Sequence, residues 1–399
     1  MTVFTRYASV LRGQGTAVPL TASIVGRLTL GMTSLALLLL VRETSGSYAV
    51  AGLVSGAYAL SFGVLGPALA RLADRTGPVQ ALRITAVLHP ALLVAVVVTA
   101  SSDVPLPVLL LPTVIAGATV PPHGPVMRAL WADALSGPAL AAAYSLESVV
   151  VELCFVLGPL LVASLTAALG PSAPVLASAA LAGAGALWLS ATPRVRAVRP
   201  QHERHGSRFG PLSSPAVRAL LLTVAAVGAT FGAVEVAVPA FVEKQGARVS
   251  SAGVLLAVWS LGSVVGGLLY GGLDLRTPHR SQLPVLVTAL AAGTALPLLA
   301  TGTTALGATL FAFGLTVAPF SACNSVLLGQ AAPPGTVTEA FAWNTSMVFG
   351  GAALASSLSG VLVERSGPTA ALVVTAGAGV LALGASAAAW WRSPEPVRA

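Results

Sequence analysis

The sequence predicts an all-α membrane protein in which twelve transmembrane helices form two six-helix bundles. Only 9% of the 399 residues are charged and the mean hydropathy is +0.87, a balance with too little ionic surface for a soluble protein of this length. Its apolar segments run for about 18 to 25 residues, the length of a helix that crosses roughly 30 Å of hydrocarbon. They do not alternate in polarity, which argues against the strands of an outer-membrane barrel.

Hydropathy and turn residues divide the chain into predicted spans, numbered here in chain order: 18–41, 48–70, 79–100, 106–126, 141–168, 172–192, 216–242, 251–273, 283–301, 305–328, 338–362 and 369–391. The one long polar stretch follows span 6 and is rich in Arg, His, Pro and Ser, which is typical of a flexible linker. We therefore expect an N-terminal bundle at 1–192, a cytoplasmic linker at 193–215 and a C-terminal bundle at 216–399.

Basic residues indicate the orientation. If the N-terminus is inside, sixteen Arg and Lys residues fall in inner segments and four in outer segments. This excess predicts that both termini lie in the cytoplasm. We expect the membrane to be the plasma membrane. We interpret the pI of about 10.5 in the same way, as a topology signal and not as a nucleic-acid surface.

The two halves of the chain share a weak internal repeat. An offset of 201 residues aligns glycines and an Arg-Thr pair of spans 1 and 2 with those of spans 7 and 8, including Gly31 with Gly232. An offset of 197 aligns Gly117 with Gly314, Pro122 with Pro319, and the Gly-Pro pair at 170–171 with that at 367–368. Repeats of this kind build secondary transporters around a site near the middle of the membrane.

A charged segment, GPALARLADRTG at residues 66–77, ends span 2 and turns toward span 3. It resembles the signature between helices 2 and 3 of the major facilitator superfamily, with Gly66, Asp74, Arg75 and Gly77 at the expected spacing and Pro78 in place of a basic residue. The resemblance implies twelve helices, alternating access by rocking of the two halves, and a latch formed by Asp74 and Arg75. The start of span 11 is the expected partner of Asp74, since carboxylates stabilise helix N-termini. The alternative is that these residues only set the orientation of the helices and form the turn.

Span 5 contains Gly158 and Pro159. The pair resembles part of the motif that marks antiporters of the superfamily, although the further glycines of that motif are missing. Pro159 removes a helical hydrogen bond, so we expect a hinge here.

Four ionisable residues lie within predicted spans, where each charge costs on the order of 2.5–3.5 kcal/mol by insertion scales. Arg27 and Glu152 fall at similar depth in spans 1 and 5, so we expect them to pair. Glu235 in span 7 is our first candidate for binding a proton or a cation. Glu147 is a further transport candidate, with solvation or pairing with Arg128 as the alternative.

Three polar residues are candidates for lining a cavity, which the resemblance places between helices 1, 4, 7 and 10. His123 follows two prolines in span 4 and is interpreted either as a titrating group or as a helix-end histidine. Asn324 and Asn344 lie in spans 10 and 11 and either bind a ligand or join the two helices.

The sequence contains no phosphate-binding Lys motif, metal-ligand spacing or nucleophile with a recognisable base, so we expect neither an enzyme nor a cofactor or metal. The best hypothesis is a monomeric, proton-coupled exporter of small amphipathic or cationic compounds. A proton-coupled importer or facilitator of a sugar or other small nutrient is the alternative. A receptor or scaffold would be expected to carry large soluble extensions.

Overall fold

The computed structural model describes residues 16–102, 104–134, 137–197, 210–248, 250–272, 277–333 and 336–392. The description is of the backbone alone at 67, 70–76, 132–134, 137–142, 144, 145, 148, 272, 337, 338 and 388–392. Throughout the described ranges every regular element is a helix, and 12 helical segments are long and apolar enough to cross a membrane. Large apolar side chains such as Val87, Leu111 and Leu268 are more than half exposed, as a lipid-facing surface requires. The chain is a multi-pass membrane protein of the predicted all-α class.

The first six spans are followed by the short helix Pro193–Ala197. Their bounds are Ala17–Ser45, Tyr48–Thr76, Pro78–Ala100, Leu106–Ala118 with His123–Ala134, Gly137–Leu169 and Ser172–Ala191. Span 3 begins with a proline, whose missing N–H is no loss in the first helical turn.

The last six spans follow a 3-10 turn at Gly210–Ser213. They are Pro215–Lys244, Ser251–Gly272, His279–Ala295, Thr303–Gly314 with Val317–Ala331, Val337–Ser366 and Pro368–Arg392, and a second 3-10 turn, Leu296–Leu299, extends span 9. Span 7 begins at a proline and is capped by Ser214, whose hydroxyl accepts a bond of 3.4 Å from the amide of Val217.

Spans 4 and 10 are each divided into two helices, whereas hydropathy predicts continuous spans at 106–126 and 305–328. In span 4 the break at 119–122 contains Pro121 and Pro122, which donate no backbone hydrogen bond. In span 10 the helix ends at Gly314 and restarts at Val317, shortly before Pro319. Hydropathy cannot detect such breaks, because the side chains on both sides stay apolar.

Contacts divide the chain into two compact units. Unit 1 takes its described residues from Met1–Leu40 and Val64–Glu203, and unit 2 from Val41–Gly63 and Arg204–Ala399. The first half of span 2 therefore belongs with the second unit. The predicted bundles at 1–192 and 216–399 assign that segment differently, and their boundaries stay a prediction.

The sequence repeat is matched by equivalent packing inside each unit. In unit 1 Gly31 of span 1 lies against the backbone of span 5, where a Cβ would overlap the carbonyl oxygen of Cys154. In unit 2 Gly232 of span 7 lies against span 11 in the same way, at the carbonyl oxygen of Ala352. Small residues allow such close contact of membrane helices, so both units use glycine to join their first and fifth spans.

The turns that precede spans 6 and 12 are also equivalent. Gly170 and Gly367 have φ values of 88° and 80°, a backbone region that favours glycine, and each is followed by a proline. The 197-residue offset relates these two turns, which supports the repeat from the backbone alone.

Candidate functional site

The only ion pair between nearly buried side chains in the described residues joins span 1 to span 5 inside unit 1. Arg27 Nη2 lies 2.5 Å from Glu147 Oε2, and the two side chains are 5% and 4% exposed. Each residue is ten positions from the start of its helix, at Ala17 and Gly137, so the pair lies at matched depth.

A third residue completes the surroundings of the carboxylate. The indole N–H of Trp131, in the second helix of span 4, donates a hydrogen bond of 3.1 Å to Glu147 Oε1. Trp131 is fully buried. Its neighbours are a core of small and aliphatic side chains from spans 1, 3, 4, 5 and 6, which includes Leu20, Ala86, Met127, Cys154 and Ala186. The Arg27–Glu147–Trp131 cluster is therefore a charged site enclosed by apolar packing.

The stability of such a cluster depends strongly on the charge of each member. A buried pair gains little over a well-packed apolar pair, but the loss of one member leaves an uncompensated charge. Anything that neutralises or displaces one member therefore changes the free energy of the site by several kcal/mol, on the order of 3–5. The arrangement can act chemically as a charge switch.

These contacts argue against one alternative for Glu147, solvation at the membrane surface, because its side chain is 4% exposed and paired with Arg27. Its role in transport stays a prediction. The ion pair that the structure shows for Arg27 is with Glu147, five positions before the predicted partner Glu152. Glu152 is half-buried on the same helix and has interactions of its own.

His123 is the first residue of the second helix of span 4, which places it inside the span and not near the end of one continuous helix at 126. It is buried, and its Nδ1 lies 3.1 Å from the carbonyl oxygen of Pro121. The opposite edge of the ring faces Gly26, where a Cβ would overlap it. Next to it, Gly124 leaves room for the guanidinium of Arg27. The two glycines therefore seat His123 and Arg27 beside each other.

The remaining predicted polar residues lie in unit 2. Glu235 is half-buried in span 7 between two buried valines and has interaction partners. Asn324 and Asn344 are brought together: Asn324 Nδ2 donates to Asn344 Oδ1 over 3.2 Å. Asn324 is 2% exposed, so this bond joins spans 10 and 11 within the membrane.

The predicted gating motif is described in part. Span 2 continues as a helix through Thr76, and Gly77 ends it with a φ of 92°, which gives the predicted tight turn before Pro78. Gly66 is half-buried in span 2. The side chains of Asp74 and Arg75 lie outside the described residues, so the latch stays a prediction.

The predicted hinge pair has a packing role. Gly158 lies against Gly31, so that spans 1 and 5 meet through two glycines. The helix of span 5 continues through Pro159 to Leu169. Bending of this helix at Pro159 during function stays a prediction.

Sequence reasoning missed a second polar cluster, which lies in unit 2 at the far ends of spans 1 and 7. Arg42 Nη2 donates to Glu243 Oε1 over 2.6 Å and Tyr48 Oη donates to Glu243 Oε2 over 2.7 Å. Nearby, Glu364 of span 11 accepts hydrogen bonds from the hydroxyl of Ser47 and the amide of Ala49. The repeat could have indicated this pair, because Arg42 and Glu243 are 201 residues apart and so occupy equivalent positions in spans 1 and 7.

Comparison with protein families gives one result that covers most of the chain. A sequence model described as Major Facilitator Superfamily matches residues 20–313 and, in a second match, residues 220–399. No curated protein matches the chain in sequence.

Several solved structures share the fold. The nucleoside transporter NupG is 16% identical with a TM-score of 0.73, over 93% of this chain and 98% of that one. A bacterial homolog of the human lysosomal transporter Spinster, inward-facing and occupied, is 15% identical with a TM-score of 0.66, over 94% and 96%. The human organic anion transporter MFSD10 is 17% identical with a TM-score of 0.62, over 93% and 98%. Likeness at these identities shows the fold alone.

Proposed function

Because this chain belongs to the Major Facilitator Superfamily of transporters, we propose that it exports small amphipathic or cationic compounds in exchange for protons, by alternating access. The same proposal places it in the plasma membrane with both termini in the cytoplasm, as the distribution of basic residues favours. It also takes a single chain as the functional unit.

The buried Arg27–Glu147 pair is the observation that supports proton coupling. The carboxylate of Glu147 is enclosed by an apolar core, where it contacts the guanidinium of Arg27 and accepts a hydrogen bond from the indole of Trp131. A proton delivered to Glu147 would remove one charge of the pair and release the other. A local change of this kind is able to bias a two-state conformational change in the rest of the molecule.

Glu235 and Glu152 support the choice of a cationic or amphipathic substrate. Both carboxylates are half-buried in spans that are otherwise almost wholly apolar. A carboxylate in such surroundings attracts a compound that carries a positive charge on an apolar body. Glu235 belongs to unit 2 and the Arg27–Glu147 pair to unit 1, so the proposal assigns substrate and proton to different residues.

The test is transport by the full chain in proteoliposomes under an imposed pH gradient, with ethidium as the amphipathic cation. We expect Glu147→Gln to lose at least tenfold in gradient-driven transport, because the neutral side chain cannot exchange a proton. We expect Glu235→Gln to weaken ethidium transport while proton movement through Glu147 is retained.

The matched control is Glu43→Gln, which changes an exposed carboxylate at the end of span 1. This variant should transport like the wild type. If Glu147→Gln and Glu235→Gln both keep full gradient-driven transport, the proton-coupled mechanism is wrong.

A facilitator or importer of a neutral polar solute is the second candidate. The Asn324–Asn344 pair favours it, because amide side chains bind hydroxyl and amide groups of uncharged solutes. Counterflow of a labelled nucleoside or sugar without a pH gradient distinguishes the two: saturable counterflow that Asn344→Leu abolishes would support this candidate over the exporter.

A further inference from the structure

We propose that Trp131 is a positioning residue that holds Glu147 in its ionised pair with Arg27, and so sets the pH at which the pair is broken. This inference rests on the proposed function of Glu147 in coupling. Trp131 itself contacts neither proton nor substrate in this scheme; it acts through the carboxylate.

The two oxygens of the Glu147 carboxylate contact different residues. Arg27 Nη2 forms an ion pair with Oε2 at 2.5 Å, and Trp131 donates a hydrogen bond to Oε1 at 3.1 Å, so the two oxygens have partners from different spans. Trp131 is fully buried, and Glu147 is 3% exposed. An indole N–H can donate but cannot accept, so it stabilises the carboxylate more than the protonated acid, whose remaining carbonyl oxygen is a weaker acceptor.

The second half of the chain lacks all three residues at the equivalent positions. The offsets of the repeat place Gly228 at the position of Arg27, Asn344 at that of Glu147 and Leu328 at that of Trp131. The indole N–H is therefore replaced by an aliphatic side chain in the half where the carboxylate is replaced by an amide. A tryptophan kept only for its volume would not be expected to follow the charge in this way.

Other ionisable side chains lie around the pair. They are His123 from span 4, which lies near Arg27, the thiol of Cys154 from span 5, and His89 from span 3, which acts on His123. Span 6 contributes no ionisable side chain. His123→Gln is therefore included, so that titration of the imidazole is separated from that of Glu147.

The first experiment measures the proton on Glu147 directly. Infrared difference spectra of the purified full chain are recorded between pH 4 and 10, and the band of the protonated carboxyl is assigned by its loss in Glu147→Gln. In Trp131→Phe, which keeps a buried ring and removes the N–H, we expect the midpoint to rise by about one pH unit, a tenfold higher proton affinity. The pH dependence of transport should move in the same direction.

The control is Trp259→Phe. Trp259 lies in unit 2 and stacks on Phe313, and its buried Nε1 has no hydrogen-bond partner among the described residues. The substitution therefore removes an indole without removing a hydrogen bond that the structure describes. It should leave the midpoint unchanged. An unchanged midpoint in Trp131→Phe would overturn the inference.

A second measurement applies if Trp131→Phe does not fold. In the wild type labelled with nitrogen-15, one indole N–H resonance should move as Glu147 titrates, and Glu147→Gln should abolish that movement. If no indole resonance responds to pH, the inference is wrong.

The two proposals fail separately. Should Glu147→Gln keep gradient-driven transport while Trp131→Phe shifts the infrared midpoint, proton coupling through Glu147 fails and the positioning role stands. Should Glu147→Gln lose transport while the midpoint of Trp131→Phe is unchanged, the reverse holds.

Discussion

Spans 1 and 5 in unit 1 and spans 7 and 11 in unit 2 have the same relation in the repeat but different chemistry at one level. Unit 1 places Arg27 and Glu147 there as an ion pair. Unit 2 places Gly228 there, against the carbonyl oxygen of Val348, and Asn344, which accepts a hydrogen bond from Asn324. The first arrangement encloses charge; the second brings two backbones into contact and joins neutral amides.

The difference teaches that one helical framework can carry two kinds of site. Where an arginine must fit, span 1 needs space, and Gly124 on span 4 supplies it. Where no side chain projects, span 7 approaches span 11 closely enough that packing replaces electrostatics. At this level we expect unit 1 to respond to protons and unit 2 to respond mainly to changes of volume.

The largest expected effect comes from breaking the ion pair of unit 1. Arg27→Met leaves Glu147 buried without its cation and should lower the free energy of unfolding by about 3–5 kcal/mol at neutral pH. Thermal unfolding in detergent measures the loss. The double variant Arg27→Met with Glu147→Gln should recover most of it, and equal unfolding temperatures for single and double variants would contradict the charge argument.

The next effect tests the close packing of unit 2. In Gly232→Ala the new methyl group would overlap the carbonyl oxygen of Ala352, so span 7 must move at a cost of about 1–3 kcal/mol. The same unfolding assay applies. Gly377→Ala in span 12 is the control, since nothing lies within 4 Å of its added Cβ, and it should be neutral or stabilise by up to about 1 kcal/mol.

The amide pair of unit 2 should contribute less than the ion pair of unit 1. A double-mutant cycle with Asn324→Ala and Asn344→Ala is expected to give a coupling free energy of about 0.5–1.5 kcal/mol, typical of a neutral hydrogen bond. The coupling should not depend on pH between 5 and 9, since neither amide titrates. A pH-dependent coupling would show that the two halves are more alike than proposed.

The smallest effect is expected at the ends of spans 1 and 7. Arg42 and Glu243 are 25% and 39% exposed, so Arg42→Ala should cost only about 0.2–1 kcal/mol, and less in high salt. Unfolding in low and high salt measures it, with Lys244→Ala as a neighbouring control. A loss as large as that of Arg27→Met would mean that exposure does not distinguish the two pairs.

The sequence predicted the twelve spans because lipid demands long apolar runs, and this demand acts on every span alike. It predicted the depth of Arg27 and the helix that holds its partner, but depth depends on where a helix begins, and the start of span 5 at Gly137 changed the partner. Trp131 is counted among the apolar residues, so its hydrogen bond to Glu147 was not predicted. The close contact of Gly31 with Cys154 could not be predicted from sequence, because it depends on how spans 1 and 5 pack. The alignment of Gly31 with Gly232 indicated only that these glycines share a role.

Arg42 and Glu243 occupy the same position in the two repeats and yet carry opposite charges. A chain made of two identical copies, or a pair of identical half-length subunits, would place the same residue at both positions and bring like charges, or none, together. The bond between them therefore depends on a difference between the two halves, since each half supplies one of its two charges.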